Sequence, residues 1–156
     1  MDAPLHNVRV VIGSIGDDIH VVGITILSHA LRNAGAEVIQ LGIQTQPAEF
    51  VATAVAEDAD VVMVSSSNGH ASLWCEDLRS DLDAAGAAEV LLYLGGNLSV
   101  SAATPWQVVE EKFLAMGFNR VFAPRTQPAE AIRLLARDVA DAATEEEPNP
   151  REVSRA

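Results

Sequence analysis

Cysteine is nearly missing from this chain: Cys75 stands alone in 156 residues. No internal disulfide can form, and a reducing compartment is expected. Aromatic residues are only 4% of the total, so the packing must be largely aliphatic. Basic residues are few as well, ten Lys and Arg against 22 Asp and Glu, for a net charge of −12. That balance excludes the basic face of a nucleic-acid binder and argues against docking on an anionic membrane. Solubility alone accounts for the acidic surplus. No apolar run approaches the roughly 20 residues of a spanning helix. The N-terminus lacks a basic stretch followed by an apolar core, so no signal peptide and a cytoplasmic location are expected. Phosphate-binding signatures are missing too. There is no G-x-x-x-x-G-K-[ST], and Gly13-x-x-Gly16 is not a G-x-G-x-x-G. P-loop and dinucleotide chemistry are therefore unsupported.

What the chain does have is a hydrophobic content of 49%, enough for one well-filled core. Short apolar runs occur at Val8–Ile12, Val38–Leu41, Val61–Val64, Val90–Leu94 and Val121–Phe122. They are near-continuous, as strands covered on both faces should be. Helical patterns alternate with them, at Val22–Ala34, Pro47–Glu57, Trp74–Ala85, Pro105–Met116 and from Thr126 to about Ala143. Glycines 35, 86 and 117 follow helix ends, where a left-handed residue is wanted. Thr-Gln-Pro-Ala-Glu occurs at both 45–49 and 126–130. It reads as helix-start grammar used twice rather than duplication, because no longer repeat surrounds it. The alternation predicts right-handed βαβ units in one α/β domain over residues 1–143. A flavodoxin-like, doubly wound five-stranded parallel sheet of order 2-1-3-4-5 follows, with its ligand crevice beyond the carboxyl ends of strands 1 and 3. Residues 144–156 are polar and carry two prolines, and are expected to be a disordered tail.

Three unusual segments converge on that edge. After the first strand comes Asp17-Asp18-Ile19-His20-Val21-Val22-Gly23, after the third Ser65-Ser66-Ser67-Asn68-Gly69-His70, and after the fourth Gly95-Gly96-Asn97-Leu98-Ser99-Val100-Ser101. Small residues there let a large flat ligand approach the backbone. In Asp18-x-His20 the imidazole can bind a metal through one nitrogen while the carboxylate holds the other N–H. By itself the motif also fits a solvated loop or a helix cap. Asp17 and Asp18 are placed like the acidic pair of a phosphoacceptor domain, but Ser65–Ser67 offers no third Asp. Cys75 reads as a small buried hydrophobe, His6 and His29 as structural or solvated. His70 borders the crevice, and Trp74 and Trp106 read as packing or interface residues.

Asp18-x-His20-x-x-Gly23, the serine motif and Gly95-Gly96 together resemble the D-x-H-x-x-G / S-x-L / G-G signature of cobalamin-binding domains. The segments Leu92–Asn97 and Met116–Pro124 resemble the small, or sigma, subunit of glutamate mutase, with the likeness running from about Val8 to about Ala140. The resemblance implies adenosylcobalamin as cofactor, with His20 as the cobalt ligand and Asp18 as its hydrogen-bond partner. It implies that Asp17 and Ile19 line the corrin side, with Val21 and Gly23 completing the first segment. Ser65 would contact the benzimidazole, with Ser66 and Ser67 beside it. Gly95 and Gly96 would make room for the nucleotide tail, and Asn97, Leu98, Ser99, Val100 and Ser101 would follow it. No catalytic residue is assigned to this chain. A large TIM-barrel subunit would hold substrate and complete a radical carbon-skeleton isomerisation. The alternative within the resemblance is a corrinoid carrier or cobalamin-sensing module. The cap domain a carrier usually has before this fold would have little room ahead of Val8. Two positions depart from the pattern: Ser67 replaces the S-x-L leucine, and Arg125 follows Ala123-Pro124 where a glycine is expected.

Overall fold

The computed structural model describes residues 3–99 and 101–146. Residues Val10–Ile15 are buried without interruption, and Val61–Val64 likewise, which makes their strands the centre of the sheet. The elements run β1 (Arg9–Ile15), α1 (Val22–Asn33), β2 (Glu37–Thr45), α2 (Pro47–Ala56), β3 (Val61–Ser65), α3 (Ala71–Cys75), α4 (Leu78–Ala84), β4 (Leu91–Gly95), α5 (Trp106–Ala115), β5 (Arg120–Val121) and α6 (Pro128–Glu146). The five strands pair in parallel in the order β2-β1-β3-β4-β5, as expected from the alternation. Two apolar layers cover the sheet. On one face α1 and α6 bring Ile24, Leu31 and Leu135 onto Val10, Ile12, Met63 and Tyr93. On the other, α2 to α5 bring Phe50, Cys75, Leu78, Leu82 and Phe113 onto Val11, Val62, Leu92 and Leu94. Among the described residues, no helix is long and apolar enough to cross a membrane.

Three local features differ from the sequence pattern. The helix expected over Trp74–Ala85 is two, α3 and α4. Buried Ala71, Cys75, Leu78 and Leu82 keep helical spacing across the break, so their periodicity hides it. β2 continues past Leu41, where Gly42 ends the apolar run. The register against β1 shifts twice, between Ile12 and Gly13 and between Gly13 and Ile15, where Gly42 (φ +84°) and Gln44 (φ +53°) are left-handed and the strand runs on to Thr45. α6 reaches Glu146 rather than about Ala143. Val100 and residues 147–156 of the expected tail lie outside the described residues.

Candidate functional site

β1 ends at Ile15 and the chain turns at Gly16, in the left-handed region at φ +71°. A Cβ on Gly16 would collide with the Trp74 indole, so glycine is required there twice over. The turn drives Asp18 inward, where it is fully buried. A carboxylate buried without partners is costly, and Asp18 has three. Its Oδ1 accepts the His20 backbone N–H at 2.9 Å and the His20 Nδ1–H at 2.5 Å, and its Oδ2 accepts the Ser67 N–H at 2.6 Å. One buried carboxylate thus ties the loops after β1 and β3 together. Ser14 Oγ donates to the His20 carbonyl at 2.8 Å, and the Gln44 N–H donates to the Asp18 carbonyl at 2.9 Å. The His20 side chain is nevertheless 57% exposed. With Nδ1 engaged by Asp18, the second ring nitrogen, Nε2, is the one left for a ligand.

Asp17 points the other way, into a second set of donors. Its carboxylate accepts Asn68 Nδ2–H at 2.9 Å, His70 Nδ1–H at 2.8 Å and Trp74 Nε1–H at 3.1 Å. The Asn68 bond first, and the His70 bond next, hold its pKa below the ordinary carboxylate value. Cys75, next to Trp74 in α3, is fully buried in the core, and burial pushes its thiol up to about 12.

Beside the His20 loop opens a cleft of about 420 Å³, between α1, α6 and the carboxyl ends of β1, β3 and β4. Its walls are mainly apolar: Ile12, Ile24, Leu27, Met63, Tyr93, Leu94 and Phe122. Ser65, Ser67, Thr126 and Gln127 supply polar groups. Gly23 lines it too. A Cβ there would meet nothing within 4 Å, and its φ is not among the positive ones. Neither strain nor packing asks for glycine at 23; what the missing side chain preserves is space in the cleft. Gly96 is the opposite case. It sits at φ +116°, and a Cβ would collide with the Ser66 carbonyl.

A cobalamin-binding protein from Desulfitobacterium hafniense shares the fold with a TM-score of 0.69 at 17% identity, covering 84% of this chain and 58% of that one. A family model for the B12 binding domain matches residues 8–133. Glutamate mutase sigma subunit 1 of Haloarcula marismortui is 50% identical over 138 residues, 88% of this chain and 90% of that protein. The sigma subunit of Carboxydothermus hydrogenoformans is 46% identical over 135 residues, 86% of this chain and 98% of that protein. The chain belongs to the glutamate mutase sigma subunit family.

In this sigma subunit family member the expected residues fall into distinct places. Asp18, His20 and Ser67 meet through hydrogen bonds, while Gly23, Ser65, Ser67, Gly95 and Gly96 line the cleft. Ile19 and Val21 are exposed beside His20. Ser66 is buried, and among the described residues its Oγ has no hydrogen-bond partner. Asn97 and Ser101 are exposed, and Leu98 is buried in the core on the α2–α5 face. Ser99 Oγ donates to the Ser101 carbonyl at 2.5 Å, a contact within its own loop. The cleft walls from α1 and α6 were not legible as ligand-facing. Ile24, Leu27 and Ala131 have ordinary helical spacing, and only the glycine at 23 marks the space in front of them.

Proposed function

We propose that this chain binds adenosylcobalamin with His20 as the residue that would ligate its cobalt. It would serve as the cofactor-carrying subunit of a carbon-skeleton mutase acting on an amino acid such as glutamate. The observation that carries this reading is the anchoring of His20, whose Nδ1 is held by buried Asp18 while Nε2 stays free at an exposed position. The donor set suits a metal that brings its own chelate. One imidazole is offered, and the adjacent carboxylate is already taken by N–H donors, whereas a bare ion needs several ligands. The cleft suits the remainder of a corrinoid. Its apolar walls and the space kept at Gly23 would take the detached benzimidazole nucleotide, with Ser65, Ser67, Gly95 and Gly96 alongside.

When bound, the cofactor supplies a carbon radical through homolysis of its cobalt–carbon bond. The chain's own residues position and tune it. Asp18 fixes the His20 tautomer and strengthens its donor nitrogen. Ser14 holds the His20 backbone. Ile19 and Val22, 63% and 68% exposed, give the surface around His20 an apolar character that suits a flat macrocycle and a covering partner. A single chain covers one side of such a macrocycle. A large TIM-barrel subunit holding substrate would close the other side and exclude water. Turnover is therefore expected only with both subunits. The test is the electron paramagnetic resonance spectrum of cob(II)alamin on nitrogen-15-labelled protein. Splitting from nitrogen-15 supports ligation by the protein, and its loss in His20→Ala assigns the ligand. Unchanged nitrogen-14 splitting in a bound complex refutes the reading.

A further inference from the structure

Among the residues lining the cleft, Arg125 alone carries a charge. It lies on the segment between β5 and α6 with φ +68°, in the left-handed region that glycine enters freely and other residues enter at a cost. The turn is fixed around it: the Thr126 N–H and the Thr126 Oγ–H donate to the Ala123 carbonyl at 3.2 and 2.6 Å. Its side chain has no hydrogen bond or ion pair among the described residues. The residue as a whole is exposed, which puts it at the rim of the cleft. The backbone asks for glycine, and the chain instead keeps a long cationic side chain that nothing in the fold uses. Such an outlier calls for a ligand.

We propose that Arg125 recognises the phosphodiester of the cofactor's nucleotide tail and so makes the cleft selective for complete cobalamin over a corrinoid lacking that anion. This rests on the cobalamin reading above. The tail's flat base matches the apolar inner walls. Its phosphate is its anion, and a hydrated anion belongs at the rim. The chain's net charge of −12 opposes an approaching phosphate. A guanidinium fork offsets that locally and pairs two oxygens at once.

The test titrates cob(II)alamin and cob(II)inamide, which has no nucleotide or phosphate, against wild type, Arg125→Gly, Arg125→Gln and Arg125→Lys. Arg125→Gly relieves the backbone, so folding is preserved, and Arg125→Gln keeps the bulk without the charge. Cobalamin affinity is expected to fall about fivefold at low salt in the Gly and Gln variants. That deficit should shrink as salt rises, and Lys, which keeps the charge but not the fork, should recover only part of the affinity. Cobinamide binding should be the same in all four proteins. Unchanged cobalamin affinity in the Gly and Gln variants, or an equal loss for cobinamide, overturns the proposal while a nitrogen-15 signal in wild type leaves His20 ligation standing. Wild type that binds neither corrinoid overturns both.

Discussion

The two halves of the site are built on opposite principles. Around His20, a few directional bonds fix everything. Asp18 and Asp17 each collect three donors, and four of the six come from residues about fifty positions further along the chain. In the cleft the walls are aliphatic, and its defining feature is a side chain left out at Gly23. A metal ligand needs one nitrogen in one place with one tautomer, and hydrogen bonds enforce that. A flat organic tail needs volume and apolar surface, which packing supplies without directional bonds. The contrast implies different failure modes. Damage to the loop should cost both stability and binding, whereas filling the cleft should cost binding alone.

The largest effect is expected from Asp18→Asn. Both carboxylate oxygens face N–H donors, so an amide must turn its NH2 toward one of them whichever way it flips. A buried donor–donor clash and a lost acceptor should cost about 2 kcal/mol of stability in urea unfolding. Cobalamin affinity should fall about 10- to 100-fold as His20 loses its orientation. Full affinity in this variant would mean that the buried carboxylate does not position the ligand.

Gly23→Val is the complementary break. Gly23 lies in the first turn of α1, and its Cβ would meet open space. Valine there should leave unfolding unchanged or slightly improved, since glycine is a poor helix former. Its methyl groups would occupy the space reserved for the tail, and cobalamin affinity should fall about tenfold, roughly two buried methylenes' worth of displaced contact. A stable variant with normal affinity would show that the tail does not use this cleft.

The same contrast explains what the sequence could convey. Asp18 and His20 are two residues apart, so their pairing was readable. Asp18 and Ser67 are 49 apart, and nothing local announces that bond. β1, β3 and β4 read as strands because both of their faces are covered. β2 read short because Gly42 breaks its apolar run, although the bulge there continues the strand to Thr45. The cleft walls were the least readable, because a helix stripe facing a space is written like one facing a core. Arg125 was visible as an unexpected residue, but its left-handed φ was not.

A smaller effect is expected at Asp17. Its three bonds are exposed, at 49% side-chain accessibility, and solvent screens them. Asp17→Ala removes the link among Asn68, His70 and Trp74 while leaving Asp18 in place. Cobalamin affinity should drop only about two- to threefold, with the nitrogen-15 splitting of cob(II)alamin retained. Loss of that splitting would make the outer cluster as important as the buried one.

The last effect is expected on stability rather than on ligand contacts, where α6 is pinned to the sheet. Arg120 Nε and Nη2 donate to Asp138 at 2.6 and 2.8 Å, and the Tyr93 hydroxyl donates to the same carboxylate. Tyr93 also lines the cleft, so this group holds one wall in register. The Arg120 bond is the main cause lowering the Asp138 pKa, with Tyr93 adding to it. A lowered carboxyl pKa stabilises the fold above the unfolded value of about 4, and that contribution is lost as pH falls through the folded value. Asp138→Asn should therefore cost about 1 kcal/mol at neutral pH. The gap from wild type should close as unfolding is measured at successively lower pH below about 4. A gap that stays constant with pH would mean that α6 is held by its apolar face, Leu135 foremost, and that the cleft wall needs no ion pair.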